Sequence, residues 1–201
     1  DVQEIFFSRT DARGVISAFN SVFMRIAGYS ADDLLNAPHR IIRHDDMPKA
    51  VFWLLWTAIQ SGKPIGAYVK NRAKDGRFYW VFAVVTPVEG GYLSVRLKPT
   101  SAILAVVERE YAALRQIEKL EKLSPEDSAM RLLERLATLG FPTYANFQAR
   151  ALAEELACRD AALGLQEDRR VSGMLRLLTS VSEIQTGKAQ VSQYFSRMML
   201  M

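Results

Sequence analysis

Along the first hundred residues the apolar positions change period repeatedly, and each change marks an element. Glu4 to Ser8 and Val15 to Phe19 are short runs of strand formers. Between them Thr10-Asp11-Ala12-Arg13-Gly14 carries the Asp and Gly of a tight reversal, so the chain opens as a hairpin. Asn20 then caps a helix, and Ser30-Ala31-Asp32-Asp33 reads as a second capped turn. Asp45 or Asp46 is expected to cap a third helix, with Pro48 in its first turn and Gly62 at its end. Two further strand-like runs, Ile65 to Asn71 and Arg77 to Val88, flank Lys74-Asp75-Gly76, a strong hairpin signal. Glu89-Gly90-Gly91 turns the chain once more into Tyr92 to Leu97. Two hairpin-forming stretches around one helical insert predict a single antiparallel sheet with helices on one face. That is an α+β layer arrangement with a pocket between sheet and helices.

After Thr100 the pattern is helical throughout, which divides the chain into an α+β domain, residues 1–99, and an all-α C-terminal region, residues 100–201. Ser124-Pro125-Glu126-Asp127 is a capped helix start and Gly140 followed by Pro142 is a stop. Thr143 to Leu163 reads as a second helix ending at Gly164, and Gln166 to the chain end as a third, interrupted by Gly173 and Gly187. Ile103, Val107, Tyr111, Leu114, Ile117 and Leu120 form an apolar stripe spaced by three and four. Two uses of this stripe stay open: pairing with a partner helix, or packing of a bundle on itself. The closing Met198-Met199-Leu200-Met201 is an exposed apolar tail, so a longer parent protein is expected to continue beyond it.

The segment Ala50 to Ile59 is apolar nearly all round and must be covered on more than one side. In a two-layer domain one cover comes from the sheet, and the other is expected from a ligand or a second chain. Trp56 shares a face with Phe52 and Ile59, while Trp53 points elsewhere.

Composition narrows the chemistry. The 201 residues are 49% hydrophobic and 24% charged, as in a soluble globular protein. The chain has neither a membrane-length apolar run nor the basic, apolar start of a signal peptide, and so reads as cytoplasmic. One cysteine, Cys158, and two histidines make neither an internal disulfide nor a four-ligand zinc site. A net charge of +4 disfavours nucleic acid as a partner, but the charge is concentrated: from Arg40 to Arg77 eight basic residues face three acidic ones. Within that stretch Pro38-His39-Arg40-Ile41-Ile42-Arg43-His44-Asp45-Asp46 holds both histidines, immediately before the apolar helix. Arginines ahead of a helix N-terminus suit an anion, and a solvated loop with an Arg–Asp pair is the alternative. No nucleophile–base pair, paired catalytic carboxylates or phosphate-transfer motif is present, so the chain reads as non-enzymatic.

The residues of these segments form a recognisable set. Asn20-x-x-Phe23, Ala27-Gly28-Tyr29, Pro38-His39, Arg43-His44-x-Asp46-Met47-Pro48-Lys49, Phe52-x-x-x-Trp56, Lys70-Asn71-Arg72-x-Lys74-x-Gly76 and Tyr79-Trp80-Val81 closely resemble the FAD-binding PAS domain of bacterial aerotaxis receptors. The resemblance runs from about Phe7 to Lys98. It departs at Asp45, where the motif usually has proline, which adds a negative charge beside the expected phosphate region.

The resemblance implies a PAS fold, a five-stranded antiparallel sheet with short helices on one face, holding FAD. Trp56 matches a tryptophan associated with flavin binding, and Arg43, His44 and Asp46 match a cluster needed for it. Asn20, His39 and Asn71 match positions lining the flavin-ring pocket. It further implies a redox or oxygen sensor in chemotaxis signalling, homodimeric through its helices and acting on a downstream domain or on chemotaxis proteins. A haem-binding oxygen sensor ligated by His39 or His44, and a ligand-free dimerisation module, remain as rivals. A cysteine-adduct photoreceptor does not fit, because Cys158 lies far off in the helices.

Overall fold

The computed structural model describes residues 1–164. Strands β1 (Ile5–Asp11), β2 (Ile16–Phe19), β3 (Ile65–Arg72), β4 (Phe78–Val88) and β5 (Gly91–Leu97) form one antiparallel sheet in the order β2-β1-β5-β4-β3. Helices α1 (Ser21–Ala27), α2 (Ala31–Leu34) and α3 (Lys49–Gln60), with a 3-10 turn at His39–Ile42, lie between β2 and β3 in sequence. Helices α4 (Ile103–Leu120), α5 (Pro125–Thr138) and α6 (Tyr144–Ala162) follow the sheet. The expected helix from Gln166 onward and the Met198–Met201 tail lie outside the described residues.

Asn20 caps α1 as expected, accepting from Phe23 N at 3.2 Å, and Ser30 with Asp33 closes a full capping box on α2. The third expected cap is not found. Pro48 occupies the cap position of α3 with no side-chain hydrogen bond to the helix. Asp45 instead accepts from Arg72 at 3.1 Å and Asp46 from Lys70 at 2.6 Å. These two carboxylates point at the neighbouring strand because backbone bonding carries their segment along the free edge of β3: His44 N donates to Lys70 O, and Arg43 bridges to Asn71. That also covers a sheet edge otherwise open to pairing.

Strand alternation gives the sheet two working faces. Val69, Asn71, Ala83 and Val85 face a cavity beneath α3. Tyr68, Trp80 and Phe82, on the opposite phase, meet the C-terminal helices: Tyr68 lies against Phe147, and Trp80 against Tyr111. Gly66 is tied at both backbone groups, its N–H to Gln148 and its carbonyl to the Tyr144 hydroxyl. The stripe on α4 is thus consumed within the chain, with Val107, Tyr111 and Leu114 buried in a cluster shared with α5, α6 and the sheet, while Leu120 at its end stays exposed.

The all-round apolarity of α3 has a related explanation. Its second cover is α5 of the same chain, which packs along it, with Ala129, Leu132 and Leu136 of α5 buried in the common core. Phe52, Leu55, Trp56 and Ile59 are left to face the cavity.

Two carboxylates are buried where the helical region docks. Glu155 of α6 accepts from the Tyr68 hydroxyl and the Ser101 hydroxyl, each at 2.7 Å, and from the backbone N–H groups of Thr100 and Ser101. Glu118 of α4 accepts from Lys49 N at 2.6 Å, Ser128 Oγ at 2.5 Å and Arg115 Nη1 at 2.9 Å. A carboxylate tolerates burial only when its oxygens are satisfied in this way.

Candidate functional site

The cavity between the sheet and α3 has a volume of about 520 Å³, within the range of small-molecule sites. One wall is apolar and aromatic, built by Phe52, Leu55, Trp56 and Ile59 at helical spacing on α3. Trp56 meets Tyr92 of β5 edge-on at 5.6 Å and lies against Gly14 in the β1–β2 turn. Gly14 has φ +80°, and a Cβ there would stand 3.2 Å from the indole. A left-handed residue with no side chain lets the turn close on the ring.

The floor is polar and comes from the sheet. Asn71 of β3, with Ser94 and Arg96 of β5, lines the cavity, and Asn71 Nδ2, Ser94 Oγ and Arg96 Nη1 are buried without a hydrogen-bond partner. Groups of this kind are costly to leave unpaired, and their convergence on one cavity marks where a ligand's acceptors belong.

Arg96 is the main electrostatic feature. It is buried, donates through Nη2 to Ser8 Oγ at 3.0 Å and to His39 Nε2 at 2.6 Å, and lies over the rings of Phe6 and Phe23. It forms no salt bridge among the described residues. Burial lowers its pKa to about 10, which leaves it charged at neutral pH. His39 stacks parallel on Phe23, and burial followed by the Arg96 charge pushes its pKa down to about 3. The imidazole is therefore neutral, with Nε2 accepting and the proton on Nδ1.

Guanidinium groups line the cavity as well. Arg13, Arg40 and Arg43 border it, with Arg43 stacked over Phe52 at 3.7 Å. Arg13 pairs with Asp11, whereas Arg40 and Arg43 form no salt bridge among the described residues. Lys70, Arg72, Lys74 and Arg77 of the same basic segment are each matched by an aspartate. Asp45, the departure from the family pattern, is spent on Arg72 and lies off the cavity wall.

Of the seven residues singled out in the sequence, the structure brings His39, Arg43, Trp56 and Asn71 to the cavity. Asn20 is elsewhere: its Oδ1 accepts from Phe23 N and Phe7 N, and its Nδ2 donates to Ile5 O, so it joins α1 to β1. His44 lies off the wall, edge-on to Phe78, with Nδ1 accepting from Asp46 N, and Asp46 is exposed on Lys70. Neither histidine is placed as an axial haem ligand in this cavity: Nε2 of His39 is held by Arg96, and His44 does not line it. Arg96 and Ser94 are not legible in the sequence. In Tyr92-Leu93-Ser94-Val95-Arg96-Leu97 the apolar phase looks like the core face, yet the polar phase is the one that lines the cavity. An arginine within an otherwise apolar strand was the available signal.

Among the described residues no group of three metal-ligating side chains occurs, and no helix is long and apolar enough to cross a membrane. Residues 16–95 match the family model described as PAS fold. The chain is 41% identical over 112 residues to the aerotaxis receptor of Escherichia coli K12, covering 53% of this chain and 22% of that protein. It is 33% identical over 84 residues to a nitrogen fixation regulatory protein of Klebsiella pneumoniae, covering 42% of this chain and 17% of that one. The chain thus spans about a fifth of the length of these curated relatives. The crystal structure of the PAS domain of a protein from Colwellia psychrerythraea aligns over 48% of this chain and 86% of its own, with 19% identity and a TM-score of 0.44. The five-stranded sheet with its helical insert and the match over residues 16–95 give the N-terminal part of this chain a PAS fold, similar in sequence to part of the aerotaxis receptor.

Proposed function

We propose that the chain is a cytoplasmic sensor of redox or oxygen state in bacterial signal transduction, and that the cavity beneath α3 holds FAD. The observation carrying this reading is the cavity's division of labour: an aromatic wall at Trp56 and Phe52, a floor of unpartnered donors at Asn71, Ser94 and Arg96, and free arginines at Arg40 and Arg43. A flavin matches each part. Its apolar ring faces suit aromatic side chains, its carbonyl-bearing edge accepts hydrogen bonds, and its pyrophosphate suits guanidinium forks.

In this arrangement Trp56 and Tyr92 exclude water from one side, and Asn71 and Arg96 orient the polar edge. Arg43, fixed by its backbone bridge to Asn71 and its stacking on Phe52, balances phosphate charge. When bound, the flavin supplies electron-transfer chemistry, and a change in its charge is felt by the buried Arg96 and Asn71. The output follows from the sheet: Asn71 and Tyr68 alternate on β3, so a shift of the cavity floor reaches the C-terminal helices on the opposite face. Chemotaxis proteins, or a domain beyond this chain, are the proposed receivers. Pairing of two copies through the helical region would use surfaces other than the Val107–Tyr111–Leu114 stripe, which is already covered.

The test is the absorption spectrum of the purified protein, as isolated and after reconstitution with FAD. Visible flavin bands that persist through desalting are expected. A Soret band would replace flavin with haem, and protein that stays colourless after reconstitution would remove the cofactor altogether.

A further inference from the structure

Helix α3 supplies the aromatic wall of the cavity, yet its own sequence does not finish its N-terminus. Pro48 at the cap position brings no side-chain hydrogen bond, and Lys49 N–H is one of the donors that every helix start leaves unpaired. The acceptor is Glu118 Oε1, 2.6 Å away on α4 and 69 positions further along the chain. The same oxygen accepts from Ser128 Oγ of α5, and Oε2 accepts from Arg115 Nη1. Arg115 also donates to the Asp45 carbonyl in the segment leading into α3, and Lys49 Nζ donates to Leu123 O in the α4–α5 connection. Every one of these bonds joins the start of α3, or the turn before it, to the C-terminal helices, or braces the carboxylate that does so.

A buried carboxylate is stable only while its partners remain, and at a helix N-terminus it also meets the positive end of the dipole. If α4 and α5 move away, the first turn of α3 loses its acceptor at the point where Arg43 and Phe52 stack. The beginning of α3 and the docking of the helical region therefore stand or fall together.

We propose that Glu118 is a positioning residue for the cavity: by completing the N-terminus of α3 from α4, it couples occupancy of the cavity to the docking of α4 and α5. Coupling of this kind is reciprocal, so the docked helices favour the bound ligand and the bound ligand favours docking. The choice of FAD as probe rests on the proposed function; the structural linkage does not.

The test compares the full chain with Glu118→Ala, Glu118→Gln and Lys49→Pro. The glutamine keeps an acceptor for Lys49 N–H, whereas proline at the first helical position is well tolerated and removes that N–H outright. FAD affinity is read by titration, and hydrogen exchange of α3, α4 and α5 is followed with and without FAD. In the unaltered protein FAD is expected to slow exchange in α4 and α5 as well as in α3. Glu118→Ala and Lys49→Pro should weaken FAD by about fivefold or more and abolish the response in α4 and α5, and Glu118→Gln should retain most of both. Unchanged affinity together with an intact α4–α5 response in Lys49→Pro would overturn the proposal, even if the alanine variant does not fold. If the unaltered protein takes up no FAD, the cofactor reading fails and the linkage is decided on ligand-free protein. Lys49→Pro must then speed exchange in the first turn of α3 and in α4–α5 together, and a change confined to one of them would refute it.

Discussion

Arg96 Nη2 donates to His39 Nε2 at 2.6 Å, joining the last strand of the sheet to the 3-10 turn of the helical insert inside the cavity wall. The bond requires a neutral imidazole, and it makes the domain sensitive to acid. The folded-state value for His39, about 3, lies below the ordinary histidine value of about 6.5, so the unfolded chain binds the proton more readily. Stability contributed by the neutral ring is complete above about pH 6.5 and is lost as pH falls from there toward 3. Denaturant titrations across that window should show the loss, with a smaller slope in His39→Gln.

Removing the buried cation should separate stability from binding. Arg96→Met removes a buried charge that forms no salt bridge among the described residues, and relief of its desolvation is expected to offset the hydrogen bonds to Ser8 Oγ and His39 Nε2 that go with it. Ligand-free Arg96→Met is therefore expected to melt no lower than the unaltered protein, while FAD affinity falls by about tenfold or more, as for loss of a charged hydrogen bond. Thermal melts of both proteins, with and without FAD, check the two halves of this prediction.

Gly14 and Trp56 should be coupled. Gly14→Ala places a Cβ at φ +80° and 3.2 Å from the indole, so a loss of about 1 kcal/mol or more is expected, with a change in tryptophan fluorescence. Trp56→Ala should lose FAD on desalting and should also reduce the cost of Gly14→Ala. A double-mutant cycle with purely additive effects would show that the close approach carries no energy.

At the exit of the sheet, Glu155→Ala would strand the buried Tyr68 and Ser101 hydroxyls and two backbone N–H groups, at a cost of about 3 kcal/mol. Tyr68→Phe removes one donor of the set and should cost about 1 kcal/mol. Urea unfolding gives both values, and a Glu155→Ala loss no larger than that of Tyr68→Phe would contradict the proposed network.

Local rules carried much of the fold. The expected caps at Asn20, Ser30 and Ser124 are found, because each depends on a side chain and amides within three residues. The Lys74-Asp75-Gly76 turn and the Gly140 stop are local for the same reason. The cap of α3 was not legible, since its acceptor sits on another helix. For the candidate site, helical spacing pointed to Trp56 and the arginines ahead of α3 to Arg43, whereas His39 and Asn71 rested on the resemblance alone. His44, Asp46 and Asn20 share the motif but are used for packing the segment in place. Arg96 was hidden because a sheet covered on both faces breaks the rule that the polar phase of a strand faces water.

The C-terminal helices lie over this face of the sheet, where Tyr68 and Phe82 are buried and Trp80 is partly covered against Tyr111. A fragment ending near Pro99 would lay bare an oily plate, and its self-association in solution would reflect the missing lid more than any native pairing. Stickiness measured on such a fragment would be an artefact of where it was cut.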